Sequence, residues 1–374
     1  MPRTDFLNRR AGLGMFVDRC PSSRPNIILI TADMVPPEFH RSGEANTSLA
    51  RTPHLDSLRA CSATFTNAFS NAPLCGPSRA SYLTGRYPYV VVNEERAHDG
   101  WAVSLRADDI IFPEYLRAVS YVTKHAGKSH VGAAKFIDAF GEADSPWNRW
   151  AQPMTDDDAY VAFLDRRAVS PPIFKDPLRG THADRRTPGN VYGGFVTQAD
   201  GSAFPEEATY CHFTAGLAIE RLRAASFQRL TPDAPVYLQV DFFEPHQPFM
   251  IPTSLDGRAG ELRDLVELPQ SFLDLLDSDF APCPGDPRIY DLYRREIGIY
   301  SPDVLRDYIV FNILQMEILD RAIGRILATL KSAGIFDCSL VIFTADHGEM
   351  NGHKALVDKG AYCHPRVARV PLVV

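Results

Sequence analysis

One short segment combines a reactive sulfur, the start of a helix and a cation. Residues 75–86 read CGPSRASYLTGR. Pro77 suits the first turn of a helix, and Gly85 suits its end. Cys75 would then lie at the helix N-terminus, where unpaired backbone N–H groups favour an anion and lower the pKa of a thiol. Arg79 follows one turn later on the same face, so the segment predicts a reactive sulfur beside a fixed positive charge.

Other residues that could do chemistry follow apolar runs. Three runs predict strands that are buried on both faces of a parallel sheet, namely residues 26–31, 236–243 and 340–344. Asp33 follows the first run, His246 follows the second, and Asp346 and His347 follow the third. Because open α/β sheets bind ligands at the carboxyl ends of their strands, we expect these side chains to share one site.

The remaining segments must supply the elements that position this site. Residues 120–123 predict a strand, and the periodicity of residues 206–225 and 303–331 predicts helices. Residues 138–205 and 251–299 are rich in Pro and Asp, and we predict long loops over the substrate cleft there. Alternating strands and helices predict an α/β fold with a mostly parallel central sheet and helices on both faces.

Composition narrows the class of protein. The 374 residues are 45% hydrophobic and 23% charged, as in ordinary globular proteins, and the net charge of -7 argues against a nucleic-acid partner. No apolar run is long enough to cross a membrane, and residues 1–24 lack a convincing signal peptide, so we expect a cytoplasmic protein with no membrane partner. Seven cysteines without a CxxC pair fit neither a disulfide framework nor a zinc cage.

The segment 75–86 closely resembles the signature of type I sulfatases in the alkaline-phosphatase-like superfamily, Cys-x-Pro-Ser-Arg followed by Thr-Gly-Arg. Only three residues separate Cys75 from Arg79, which argues against phosphatases of the Cys-x5-Arg type. Further motifs that resemble those of the family occur in its order: Asp33, Gly127-Lys128-Ser129-His130, Glu244-Pro245-His246, Asp346-His347-Gly348-Glu349 and Lys359. The resemblance implies a catalytic domain at residues 25–374, after an N-terminal extension at residues 1–24. Family members continue into a smaller C-terminal subdomain, which we expect to be missing here.

The resemblance implies a modified cysteine and a metal ion. A maturation enzyme would oxidise Cys75 to formylglycine, and Asp33, Asp346, His347 and the modified residue would hold one divalent cation, Ca²⁺, Mn²⁺ or Zn²⁺. Two departures bear on the ion. Met34 stands where many members have a second acidic or amide residue, and a thioether is a poor ligand for hard cations. His347 replaces a common asparagine, and an imidazole favours Mn²⁺ or Zn²⁺.

The remaining family roles fall on five charged or ionisable residues. By resemblance, Arg79 would fix the hydrated aldehyde, while Lys128 and Lys359 would hold the sulfate oxygens. His246 would protonate the leaving alcohol, and His130 would help to remove a proton from the second hydroxyl of the diol. We predict structural roles for the other histidines discussed, which are His98, His125, His353 and His364.

Three functions remain open at this point. The first is hydrolysis of a small-molecule or saccharide sulfate ester by a metal-dependent sulfatase. The second is hydrolysis of a phosphonate or phosphate ester by the same superfamily, because these esters share the tetrahedral anionic geometry of sulfate. The third is a catalytically silent homologue that binds an anion, which Met34 and the expected loss of the C-terminal part would explain.

Overall fold

A computed structural model describes residues 24–40, 44–88, 105–106, 108–141, 157–227 and 234–374. The strands, in chain order, are β1 Asn26–Asp33, β2 Ala68–Phe69, β3 Val122–Gly127, β4 Ile173–Thr181, β5 Pro188–Thr197, β6 Val236–Pro245, β7 Phe249–Pro252, β8 Ser339–Ala345, β9 Arg369–Val370 and β10 Leu372–Val373. The α-helices are α1 Pro53–Ala60, α2 Cys75–Thr84, α3 Phe112–Ala118, α4 Ala133–Phe140, α5 Asp158–Asp165, α6 Tyr210–Phe227, α7 Asp256–Leu265, α8 Gln270–Asp277, α9 Arg288–Ile297, α10 Pro302–Ser332 and α11 Pro365–Ala368. Among these helices, none combines the length and the apolar character that crossing a bilayer requires.

The central sheet of the described residues has the strand order β10-β8-β1-β6-β3. Pairing is parallel throughout except for β10, which is antiparallel to β8. Every residue of β6 is buried, and only one residue of β1 is partly exposed. Apolar strands covered on both faces have this burial pattern. The predicted α/β fold with a mostly parallel sheet is confirmed, and β10 makes the sheet mixed.

Helices cover both faces of the sheet. Neighbouring residues of one strand therefore pack in different cores, because their side chains point to opposite faces. Ile28 and Ile30 pack in a core with residues of α6 and α10. Leu29, between them, packs in a second core that includes Leu83 of α2 and Phe136 of α4. The long helix α10 begins and ends within one residue of its predicted bounds.

The prediction of long loops was wrong for much of two segments. Residues 138–205 contain α5 and the β-hairpin of β4 and β5, although residues 142–156 lie outside the described part. Residues 251–299 contain α7, α8 and α9. Pro269 and Pro287 directly precede α8 and α9, where they start helices rather than break them. The sequence did not predict the hairpin because β4 is mostly exposed and lacks a regular alternation of apolar and polar residues.

The strand predicted at residues 120–123 lies further along the chain, as β3. It pairs with β6 from Val122 opposite Val236 to Gly127 opposite Asp241. Gly127 has a φ of +102°, and a Cβ atom there would lie 2.1 Å from the carbonyl oxygen of Asp241. Only glycine fits such an approach, and the strand ends there, so that Lys128 follows at the carboxyl edge of the sheet.

Candidate active site

The predicted site residues meet at the carboxyl edge of the central sheet. Asp33 ends β1, Lys128 follows β3, His246 follows β6, and Asp346 with His347 follows β8. Helix α2 brings Cys75 and Arg79 to the same edge, and the loop after β8 brings Lys359. Each of these side chains is almost completely buried. The carboxyl ends of the strands, α2 and the loop after β8 thus bring these side chains together.

Cys75 is the first residue of α2, as its sequence context predicts. Its Sγ lies 3.2 Å from His347 Nε2 and 3.7 Å from Asp33 Oδ1. Burial alone would raise the pKa of Cys75, but the ammonium groups of Lys128 and Lys359 outweigh it and hold that pKa well below its ordinary value. The sulfur therefore lies where an anion is stabilised.

Four potential metal ligands converge around this sulfur. One ligand atom from each of Asp33, Cys75, Asp346 and His347 lies within 4.8 Å of the others. His347 Nδ1 is 2.9 Å from the carbonyl oxygen of Gly348, which can only accept a hydrogen bond, so Nδ1 carries a proton and Nε2 is the nitrogen that faces the cluster. The donors fit a divalent cation because they combine two carboxylates with an imidazole.

The acids of this cluster lie close to each other as well as to their donors. Burial and the neighbouring Asp33 charge raise the pKa of Asp346. Burial disfavours the imidazolium form of His347, but the Asp346 carboxylate outweighs it and raises the pKa of His347 to about 9. Groups that crowd negative charge in this way are typical of sites that bind a cation.

Met34 has a backbone role at this site. Its N–H donates to Asp346 Oδ1 at 3.2 Å, and the N–H of His347 donates to the same oxygen at 2.9 Å. Met34 has a φ of +65°, which a residue with a side chain rarely adopts. The position after Asp33 therefore orients a carboxylate through its main chain.

Arg79 lies behind the acids and is completely buried. Its Nε donates to Asp346 Oδ2 at 2.9 Å, and its guanidinium lies 3.2 Å from Asp241 Oδ1 and 3.6 Å from Asp33 Oδ2. It also donates to the carbonyl oxygen of Lys128 at 2.9 Å. The guanidinium thus links residues that lie in or directly after β1, β3, β6 and β8.

Two lysines and two histidines complete the surroundings of Cys75. Lys128 Nζ contacts Asp33 Oδ2, and Lys359 Nζ contacts His246 Nε2. Burial and the Lys359 charge lower the pKa of His246. His130 has a φ of +55°, and burial and Lys128 lower its pKa to about 4, although its hydrogen bond to Cys75 opposes this shift.

Sequence analysis missed Asp241, in the middle of β6. Its carboxylate accepts from Gln239 Nε2 at 2.6 Å and from Tyr82 Oη at 3.1 Å, and it lies 2.9 Å from His125 Nε2. Asp241 therefore holds Arg79 from the side away from the metal ligands. A charged residue inside an apolar strand was the available signal, since a buried charge needs partners.

A second missed group positions Lys359. Asp358 Oδ1 lies 3.0 Å from Lys359 Nζ, and its Oδ2 accepts from Gln247 Nε2 at 2.8 Å. Glu349 accepts from the backbone N–H of Asp358, so the loop after β8 is tied to its own beginning. The acidic neighbour of Lys359 in sequence was the only available signal.

The other histidines that were predicted to be structural divide into three cases. His98 lies outside the described residues. His125 is buried against Asp241, and its link to the site passes through that carboxylate and Arg79. The Nδ1 atom of His364 accepts from the N–H of Arg366 at the start of α11, and burial lowers the pKa of His353 to about 3.

The geometry can be compared with known proteins. "Uncharacterized sulfatase YidJ" of Escherichia coli (strain K12) is 25% identical over 358 residues, which cover 94% of this chain and 62% of that protein. Choline-sulfatase of Rhizobium meliloti (strain 1021) is 25% identical over 94% of this chain and 63% of that protein. Iduronate 2-sulfatase of Homo sapiens is 26% identical over 86% of this chain and 54% of that protein. The chain thus spans less than two thirds of the length of these relatives.

Solved structures share the fold. The phosphonate monoester hydrolase of Agrobacterium radiobacter matches with a TM-score of 0.65 at 22% identity, over 94% of this chain and 68% of that chain. The 2-O GAG sulfatase BT1596 matches with a TM-score of 0.56 at 18% identity, over 94% of this chain and 64% of that chain. The model of the Sulfatase family matches residues 25–374. By this match, which extends over nearly its whole length, the chain belongs to the sulfatase family.

Proposed function

We propose that this chain hydrolyses sulfate monoesters to an alcohol and sulfate, using formylglycine made from Cys75. The observation that carries the proposal is the position of Cys75, which lies at a helix N-terminus within reach of both Asp33 and His347. Converted to formylglycine by a maturation enzyme, residue 75 would supply a hydrated aldehyde as the nucleophile toward sulfur. We assign this activity to a catalytic domain at residues 25–374, after an extension at residues 1–24.

The metal ligands in this proposal are Asp33, Asp346, His347 and residue 75. A divalent cation bound there would lower the pKa of a hydroxyl group on residue 75. Among Ca²⁺, Mn²⁺ and Zn²⁺, the imidazole of His347 favours the latter two. The hydrogen bond between His347 and Gly348 supports this role because it aims Nε2 at the other three ligands.

The cations of the site would bind the sulfate group. Lys128 and Lys359 are both buried, and the charge of each lowers the pKa of Cys75. Sulfate oxygens would accept hydrogen bonds from both ammonium groups, which would stabilise the charge that develops in the transition state. Arg79 is committed to Asp346 and Asp241, so it would fix the framework of the site and balance its charge.

The two histidines would move protons. His246 would give a proton to the leaving alcohol as the S–O bond breaks. Its contact with Lys359 supplies a neighbouring proton donor, and a bound sulfate would offset the lysine charge that lowers the pKa of His246. His130 has a low pKa and a hydrogen bond to Cys75, so it would accept a proton from residue 75.

A phosphonate or phosphate ester hydrolase is the second candidate. The observation that favours it is His347, since this histidine form occurs in phosphonate monoester hydrolase-like branches of the superfamily as well as in choline-sulfatase-like ones. We favour the sulfatase because Lys128 and His130 follow the Gly-Lys-x-His motif. The substrate that we propose is a small-molecule or saccharide sulfate ester, in line with choline-sulfatase and iduronate 2-sulfatase among the relatives. We further propose a cytoplasmic location, which cell fractionation would test.

The mass of the peptide that contains Cys75 tests the mechanism. We expect it to lack the thiol sulfur and to react with a hydrazide, as an aldehyde does. Active protein with an unmodified thiol would contradict the mechanism. Cys75→Ala should abolish turnover, whereas Cys211→Ala, at an equally buried cysteine outside the site, should retain it. Rates on matched aryl sulfate, phosphate diester and phosphonate substrates would decide between the two hydrolases, and no turnover of any by the matured protein would indicate the silent homologue.

A further inference from the structure

A groove lies on the outer side of the helical layer, away from the residues of the candidate active site. It is formed by the end of α5 and by α6 and α10, and its volume is about 450 Å³. Phe163, Phe213 and Leu217 supply apolar surface to its lining. A cleft of this size holds a small organic molecule of one or two rings.

Positive charge dominates this groove. Four arginines line it, and Glu220 is the only acidic residue among the lining residues; the arginines are Arg166, Arg167, Arg223 and Arg325. The lining of the groove is therefore positively charged, whereas the whole chain carries a formal charge of -7. Like charges that share a cleft repel one another and raise the local concentration of anions.

The groove arginines lack the carboxylate partner that a neighbouring arginine has. Arg321 lies one turn before Arg325 on α10 and forms a two-point ion pair with Glu206, at 2.5 and 2.9 Å. None of the four groove arginines forms an ion pair with a described carboxylate. The contrast on one helix shows that the charge of Arg325 is not required to balance a structural acid.

Two of the guanidinium groups are nevertheless held in position. Arg167 lies over the ring of Phe163, with its Cζ 3.8 Å from the ring centroid. Arg325 donates to the carbonyl oxygen of His212 at 2.8 Å. Burial lowers the pKa of Arg325, and the charge of Arg167 lowers it further. Both guanidinium groups are thus held at the edge of an apolar surface, close enough that the charge of Arg167 acts on Arg325, and each has further N–H donors.

We propose that this groove binds an oxyanion of the sulfate or phosphate type that is carried on a ring-sized group. Guanidinium groups recognise such oxyanions through paired N–H donors, and the apolar lining suits the face of a ring. A bound anion would also relieve the repulsion between Arg167 and Arg325. The proposal does not depend on the hydrolytic function, because no residue of the candidate active site lines the groove.

Calorimetric titration of the full chain at low ionic strength tests the proposal, with inorganic sulfate as the first probe. A sulfated disaccharide and adenosine 5′-monophosphate then distinguish the two sources of the oxyanion. We expect Arg167→Gln and Arg325→Gln each to weaken binding about tenfold, the effect of losing one charge-assisted hydrogen-bonding group. Arg306→Gln is the control, since this arginine lies 19 residues earlier on α10, about 28 Å away.

Lys359→Ala separates the groove from the active site. Groove binding should survive this substitution, and the groove variants should keep the wild-type rate of nitrophenyl sulfate hydrolysis. Three results would overturn the proposal: no saturable binding of any probe, equal weakening by Arg306→Gln, or a single site that Lys359→Ala abolishes and Arg167→Gln leaves intact. Arg167 is exposed, so Arg167→Gln gives a folded test even if Arg325→Gln lowers stability.

Discussion

Two regions of the molecule contain buried carboxylates, and the neighbours of these carboxylates differ. In the middle of α10, Asp320 accepts from the backbone N–H groups of His54 and Leu55 at the start of α1, at 3.1 and 2.8 Å. Glu317, one turn away, accepts from the N–H of Arg51 and from Arg258, at 3.0 and 2.9 Å. These donors satisfy the acids, which anchor α1 and α7 to the core.

At the strand ends, by contrast, Asp33, Asp346, His347 and Cys75 face one another. The two acids have donors of their own, but each also lies beside the other, and the Asp33 charge adds to burial in raising the pKa of Asp346. The comparison teaches how to separate a structural acid from a functional one. A lone buried carboxylate with its own donors stabilises a fold, whereas carboxylates that converge on each other, on an imidazole and on a sulfur indicate a site for a ligand.

Removing metal ions should have the largest effect and should act on one region only. We expect chelation to abolish turnover and lower the unfolding temperature, because Asp33 and Asp346 would then repel each other. Mn²⁺ or Zn²⁺ should restore activity better than Mg²⁺. Asp346→Asn should remove the effect of the ion on the unfolding temperature, as scanning fluorimetry would measure. Best recovery with Ca²⁺ would contradict the ligand argument based on His347.

His246→Ala should slow the reaction according to the leaving group. We expect a loss of about 10² to 10⁴-fold on alkyl or phenyl sulfates, because a poor leaving oxygen needs a proton. Nitrophenyl sulfate should lose far less, since nitrophenolate leaves without help. His246 is only 2% exposed, so some loss of thermal stability should accompany the change.

His353→Ala is the matched control for this experiment. Among the described residues, no hydrogen bond or ion pair joins His353 to Asp33, Cys75, Asp346 or His347, so this substitution should leave the ratio of the two rates unchanged. Equal losses on both substrates for His246→Ala would assign His246 to sulfate binding instead of proton transfer.

Asp320→Ala should affect stability instead of catalysis, with a lower free energy of unfolding and an unchanged rate per folded molecule. The substitution leaves the N–H groups of His54 and Leu55 without acceptors, which should lower the free energy of unfolding by about 1–3 kcal/mol. Urea denaturation gives the value. Asp303→Ala, at an exposed acid on the same helix, should cost less than about 1 kcal/mol. A loss of kcat in folded Asp320→Ala would contradict a purely structural role for Asp320.

Glu244→Gln should have the smallest effect on the rate and should instead change the pH dependence of stability. Burial raises the pKa of Glu244 from 4.5 to about 8. The folded state therefore holds a proton that the unfolded state loses, and stability falls as pH rises between these values, by at most about 1.4 kcal/mol per unit. The glutamine should flatten that decline. Glu206→Gln is the control, because its pKa is lowered to about 2 and its contribution is lost only in acid.

The local chemistry of the sequence determined much of the site. Apolar runs marked β1, β6 and β8, since strands buried on both faces must be apolar along their length. Pro77 and Gly85 marked the limits of α2 and hence the position of Cys75. Each of these signals depends on a few neighbouring residues, which is why it could be read without the fold.

Only the tertiary structure decided the rest, because the deciding contacts join distant segments. Asp241 meets Arg79 across more than 160 residues of chain, and β3 takes its register from β6. The β-hairpin of β4 and β5 lacks a local apolar pattern and is stabilised by pairing with β7. The groove arginines likewise look like ordinary surface residues in sequence. Their meaning lies in the lack of ion pairs with carboxylates of the described residues, which packing of α5, α6 and α10 determines and no local pattern encodes.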